Sequence, residues 1–294
     1  GVVERLRAAG VLETSDGAEV VFPDGFTNRE NEPLPMIIRK GDGGYNYATT
    51  DIACVIDHVE RIGAKTSIYV VGAPQAQHFQ MLEAVAHKAG LLPDGVTINH
   101  VAFGSVLGPD RKMLKSRAGD NVKLSDLLDE AVERAEQAVA EKNPTMSAEE
   151  RSNIARMVGI GAVKYSDLAN DRIKDYIFDW DRMLAFEGNT APYLQYAHAR
   201  ICSIFRRAEV DRASVRSIQP ILGDVREREL ALRILRCDAA VWDLLDTLSP
   251  HKLCTYLFDL ASDFTSFYEH CPVLKAEPDE LRLSRLALCD ATAR

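Results

Sequence analysis

The sequence predicts an α/β fold built on a parallel sheet, followed by an all-α helical bundle. Three observations carry this reading. A β-branched, nearly continuous apolar run at 67–71 is followed by a helix-period stripe and then by a second extended run at 97–103. A strand, a helix of roughly 12 residues and another strand form a crossover unit, which requires parallel pairing. Beyond about residue 187 the apolar residues recur only at helical spacing.

The totals agree with a soluble globular chain. The 294 residues are 46% hydrophobic and 27% charged, enough for a sizeable core in one large or two ordinary domains. No apolar run approaches the roughly 18 residues of a membrane span and no signal-peptide pattern opens the chain, so no membrane partner is expected. A net charge of −9 argues against indiscriminate nucleic-acid coating while permitting a local basic face. The six cysteines are scattered without a Cys-x-x-Cys pair, which reads as small buried thiols in a reducing cytoplasm. The seven histidines show no metal-ligand spacing. Helical patterns run to both termini, which reads as a segment of a longer protein.

Taken in order, Val2, Val3, Leu6 and Ala9 mark a helix that Gly10 closes. Extended pieces at 19–22 and 36–40 follow, then a turn at 41–44. Ile52, Val55, Ile56, Val59 and Ile62 predict a helix over 49–62, with Thr50 as its cap and Tyr47 and Asp51 at its mouth. The strand at 67–71 has the composition of one buried on both faces. The next helix buries Phe79, Leu82, Val85, Ala86 and Ala89 and stops at Gly90. Ligands of such sheets sit at the carboxyl ends of the strands. Gln75 and the basic stretch 111–117 both follow strands, so both are expected on that edge.

A helix is predicted from Ser125 to about Lys142, and Ser147-x-x-Glu150 is a capping box for another ending near 168. An aromatic extended stretch (Tyr176, Ile177, Phe178, Trp180) precedes the change of character. Thr190 and Pro192 open a helix with Ala197, Ile201, Ile204 and Phe205 inward. One helix over about 224–248, with Val241 and Leu245 buried, another to about 270 and a last one from near Pro278 complete an antiparallel bundle. The domain boundary is expected near 185, giving domains 1–185 and 186–294.

Four constellations could carry chemistry. Tyr47 and Asp51 place a phenol beside a carboxylate, a receptor for a planar guanidinium; alternatively Asp51 only adds negative charge to a first helical turn. Gln75 and His78 follow the first parallel strand and could read a polar group and a nucleotide or anion, or could be a capping Gln and a partly exposed His. The stretch 111–117 packs four cations into seven residues, Arg111, Lys112, Lys115 and Arg117. It suits a triphosphate, but a run of this kind is also what a solvated surface looks like. Tyr193, Tyr196 and Arg200, with Arg206, Arg207, Arg212 and Arg216 beyond them, interleave aromatics with cations as unstacked RNA requires, or line a solvated helix face.

In this order, the segments 47–51, 69–79, 111–117 and 188–200 resemble arginyl-tRNA synthetase, a class I aminoacyl-tRNA synthetase, and the resemblance spans essentially the whole chain. Lys112-Met113-Leu114-Lys115-Ser116 is similar to the class I Lys-Met-Ser-Lys-Ser signature, with Leu114 in place of the first serine. The resemblance implies the second half of a Rossmann-type catalytic domain and an anticodon-binding bundle. It implies that Tyr47, Asp51 and Gln75 bind L-arginine and that Lys112, Met113, Lys115 and His78 bind ATP, with Lys112, Lys115 and Ser116 catalytic. Tyr193, Tyr196, Arg200, Arg206 and Arg207 would contact tRNA(Arg). The implied reaction uses ATP with Mg²⁺ to form arginyl-adenylate, then transfers arginine to the tRNA. A monomer is expected. The family's second signature, His-x-Gly-His, is absent from these 294 residues, so the chain is expected to be inactive alone. The competing expectation is a non-catalytic tRNA-binding or regulatory paralogue.

Overall fold

Residues 1–113 and 123–294 are described by the computed structural model, and they fall into two units, Gly1–Gly104 and Ser105–Arg294. In the first unit, α1 (Val2–Ala8) is closed by Gly10 at φ +70° as expected. Strands β1 (Glu13–Ser15), β2 (Ala18–Val21) and β3 (Met36–Arg39) form an antiparallel sheet in that order. Strand β1 was not anticipated. Its signal is Asp16-Gly17, both left-handed at φ 48° and 77°, the backbone of a two-residue hairpin turn.

Helix α2 (Tyr47–Asp57) begins two residues earlier than the sequence suggests. Asn46, not Thr50, is its cap, accepting from the Tyr47 N–H at 2.7 Å. Thr50 lies one turn in and donates to the Tyr47 carbonyl at 2.7 Å. Thr49 donates to the Ile38 carbonyl and ties α2 to β3. The helix continues as a π-helical turn over His58–Ile62 and ends at Gly63. That wider turn shifts the apolar stripe, and Ile62, expected inward, is 57% exposed.

Strands β4 (Thr66–Gly72) and β5 (Thr97–Phe103) pair in parallel from Thr66↔Thr97 to Gly72↔Phe103, and α3 (Ala76–Lys88) makes the crossover. The parallel unit is as predicted; burial on both faces is not. Tyr69 and Val71 pack into a core with Ile38, Ile52, Leu82 and Val85, whereas Ile68 and Val70 are 51% and 66% exposed. The helices of this unit cover one face of β4 only.

In the second unit, β6 (Val106–Leu107) pairs in parallel with β7 (Tyr176–Ile177). Helices α4 (Leu124–Lys142) and α5 (Ala148–Ala169) pack at Gly159, where a Cβ would lie 2.5 Å from the Ala131 carbonyl oxygen. Ser147 caps α5, accepting from the Glu150 N–H at 3.3 Å and donating to the Glu150 carboxylate at 2.9 Å. A short α6 (Trp180–Met183) leads to α7 (Ala191–Ala208), capped by Thr190 as expected. The remaining helices are α8 (Val225–Leu235), α9 (Cys237–Thr247), α10 (Pro250–His270) and α11 (Asp279–Ala293).

The single helix expected over 224–248 is two. It breaks at Arg236 (φ −85°, ψ 0°), which resets the helical phase, so the apolar stripe does not continue into α9. Val241 and Leu245 are accordingly 38% and 53% exposed. The bundle core is formed by Ile201, Ile204, Leu230, Phe264, Phe267 and Leu286, all essentially inaccessible. All six cysteines are free; Cys254, Cys271 and Cys289 are buried, but Cys54 and Cys237 are exposed, against expectation. Among the described residues no helix is long and apolar enough to cross a membrane.

Candidate functional site

The carboxyl end of β4 opens directly into a cavity of 790 Å³, within the about 300–1,000 Å³ of small-molecule sites. Tyr47 and Asp51 reach it from α2, Gln75 from the 3₁₀ turn Ala73–Gln75, and His78 from the first turns of α3. Four candidate residues from two separate sequence stretches therefore line one cavity.

Their geometry bears on the readings open in the sequence. Asp51 is the fifth residue of α2, whose first turn holds no acid, so it does not act as a first-turn counter-charge. Gln75 occupies the cap position of α3, but its side chain makes no capping hydrogen bond. His78 is only 11% exposed, and its Nε2 lies 2.7 Å from Oδ2 of Asp51. The Tyr47 ring meets the His78 ring edge-on at 4.7 Å while remaining 61% exposed as a residue. A carboxylate held from one side, beside an accessible phenol, has the chemistry to accept a cation with several planar donors.

Sequence reasoning missed Tyr69. It lines the same cavity, and among the described residues its buried hydroxyl has no hydrogen-bond partner. Burial, with Cys54 and Asp51 nearby, pushes this phenol up to about 12, so it stays neutral at physiological pH. Its place within a β-branched run made it look like core.

The basic stretch does not leave β5 directly. Strand β6 intervenes, and a turn follows in which the Arg111 N–H donates to the Gly108 carbonyl at 2.9 Å and the Gly108 N–H to the Lys112 carbonyl at 2.8 Å. Arg111 is left-handed at φ 59°, and Met113 bridges back to Leu107. Lys112 and Met113 are exposed. Lys115 and Ser116 lie outside the described residues.

On the bundle, α7 separates the candidates it carries. Tyr193 is turned inward, its ring 5.7 Å from that of Phe258 and its hydroxyl 3.4 Å from Thr265. Tyr196 is 54% exposed, and Arg200 lies over the rings of Tyr196 (5.9 Å) and Tyr268 (4.2 Å). Tyr268, from α10, was not singled out in the sequence, because it lies 68 positions beyond Arg200 on a helix that reads as core. Arg206 and Arg207 are exposed on the last turn of α7. Arg212 is drawn instead to the buried carboxylate of Asp290 at 2.8 Å, with Arg216 at 3.5 Å.

The model of the family "tRNA synthetases class I (R), catalytic domain" matches residues 1–180, and that of the DALR anticodon binding domain matches residues 194–294. The chain belongs to the class I (R) tRNA synthetases. An arginine–tRNA ligase from Shigella dysenteriae is 51% identical over 294 residues, covering 100% of this chain and 51% of its own length. The arginyl-tRNA synthetase structure from Plasmodium falciparum superposes with a TM-score of 0.85 at 30% identity, covering 99% of this chain and 48% of that one. The Thermus thermophilus arginyl-tRNA synthetase gives 0.84 at 27% identity, with 99% and 54% coverage. This synthetase chain thus spans about half the length of the curated relatives it matches. Its fold is that of the class I synthetases, with an α/β half followed by a helical DALR domain.

Proposed function

We propose that the chain is part of an arginine–tRNA ligase, contributing the side-chain pocket for L-arginine, the ATP loop and the anticodon-binding domain. The observation that carries this reading is the convergence of Tyr47, Asp51, Gln75 and His78 on one cavity at the end of a parallel strand. Asp51 receives the guanidinium, and Tyr47 and Gln75 complete the pocket. In the reaction, the arginine carboxylate attacks the α-phosphorus of ATP, the bond to the bridging oxygen breaks and pyrophosphate leaves. Lys112, Lys115 and Ser116, with Met113, form the loop that offsets charge growing on the departing pyrophosphate. The arginyl group then passes to the 2′-hydroxyl of the terminal adenosine of tRNA(Arg).

Mg²⁺ belongs to this reading only as the companion of ATP. Among the described residues no group of three His, Cys, Asp or Glu side chains stands together to hold a metal, so no step is assigned to it. The tRNA domain is assigned to 186–294, with the exposed Tyr196 and the half-buried Arg200 as its working face and Arg206 and Arg207 beside them. Tyr193 supports that face from beneath.

The 294 residues contain no His-x-Gly-His segment, so ATP–pyrophosphate exchange by this chain alone, with L-arginine and tRNA(Arg) present, is expected to be negligible. L-arginine should nonetheless shift the amide resonances around Tyr47 and Asp51, and L-citrulline, its neutral analogue, should not. Equal shifts with both ligands would reject the guanidinium site.

A further inference from the structure

We infer that His78 is a positioning residue that orients Asp51 for a guanidinium. The inference rests on the arginine reading of the cavity and adds to it a part that the sequence did not assign. The structure places His78 against the carboxylate, which fits this part better than a nucleotide contact.

The contact itself requires a proton. Nε2 of His78 and Oδ2 of Asp51 are 2.7 Å apart, and an ionised carboxylate only accepts, so Nε2 carries the hydrogen. One lone pair of Oδ2 is thereby used. That leaves Oδ1 and the second lone pair of Oδ2, enough for the two parallel N–H donors of a guanidinium, on a residue that lines the cavity. Without the imidazole, Asp51 would be free to turn about its χ angles on the surface of α2. The His78 ring is fixed in turn by the Tyr47 ring at 4.7 Å and by Phe79 at 5.2 Å, and Phe79 stacks on His100 at 4.8 Å. His78 therefore joins the two guanidinium receptors of α2 to the core beneath β4 and β5.

Among the described residues, the other titratable side chains that line the cavity with His78 and Asp51 are Tyr47 on α2 and Tyr69 on β4; Pro35 and, from β3, Met36 and Ile37 add no charge to its wall.

The test uses this chain, L-arginine and methylguanidinium, with affinities read from the Tyr47 and Asp51 amide shifts at one fixed pH. His78→Phe keeps the ring volume and removes the donor, and should weaken both ligands about tenfold, the scale of one charge-assisted hydrogen bond. His78→Gln restores an N–H at similar reach and should bind within about threefold of the unaltered chain. Recovery of binding in His78→Gln, which restores the donor without the ring, is a result that loss of packing alone does not produce. Unaltered binding by His78→Phe, or equal weakening in His78→Gln, overturns this inference while leaving the arginine site in place. No binding of L-arginine by the unaltered chain overturns the arginine reading and this inference together.

Discussion

At Asp51 a carboxylate that lines the cavity meets an imidazole on one of its oxygens. Asp51→Asn keeps the shape and removes the charge. It should weaken L-arginine binding by about 10- to 100-fold, as expected for a hydrogen bond to a charged group, and leave ATP binding unchanged; calorimetric titration with each ligand checks this. Equal losses for both would remove Asp51 from the guanidinium site. Asp51 and Gln75 were legible in the sequence because each follows a boundary that composition marks, a helix start and a strand end. Tyr69 and Tyr268 were not, because an aromatic inside an apolar stripe looks the same whether its polar end meets core or cavity. The His78–Asp51 pair was invisible for another reason: 27 residues separate the partners, and no local period connects them.

The helices and the parallel pair were read from periodicity, and they stand within a few residues. What periodicity missed were the places where backbone geometry breaks the period: the left-handed Asp16-Gly17 turn, the π-helical turn before Gly63 and the interruption at Arg236. Close approach was equally hidden. Gly159 is one of two glycines within helices among the described residues, the other being Gly161, and of the two it is Gly159 that lets α5 meet the backbone of α4, with a would-be Cβ 2.5 Å from a carbonyl oxygen. Gly159→Ala gains about 1 kcal/mol of helix propensity but forces two helix backbones apart, at a cost of about 1–3 kcal/mol. Backbone cannot yield as a side chain can, so the clash should win, by up to about 2 kcal/mol. Urea unfolding would show it as a lower midpoint. A higher one would mean that the two helices separate freely.

Each of the two units has a core of its own, one around Ile38, Ile52 and Leu82, the other around Ile201, Phe264 and Leu286. Composition foretold enough apolar material for two. It did not foretell the division at Gly104/Ser105, because the strand patterns on either side look continuous. The net charge of −9 bears on function at this scale, since a polyanion must approach through a local exception. Arg206 and Arg207 are such an exception, whereas Arg212 is engaged by Asp290. For tRNA(Arg) binding, Arg206→Ala should reduce the dependence of log K on log salt by about 1, as for loss of one phosphate contact. Tyr196→Ala should lower affinity by about 1–3 kcal/mol, the worth of a base stack, with no change of slope. Filter binding across a salt series separates the two, and an altered slope in Tyr196→Ala would reject stacking as its role.

Strand β4 is paired with β5 along its whole length but, among the described residues, with no strand on its other side. Successive peptide groups of a strand point to opposite sides. In deuterated buffer the strand should therefore behave as a comb. Amides that face β5 should hold their hydrogen, and those between them should lose it orders of magnitude sooner, the two classes alternating residue by residue. Uniformly slow exchange along β4 would mean that its outer edge is covered in solution.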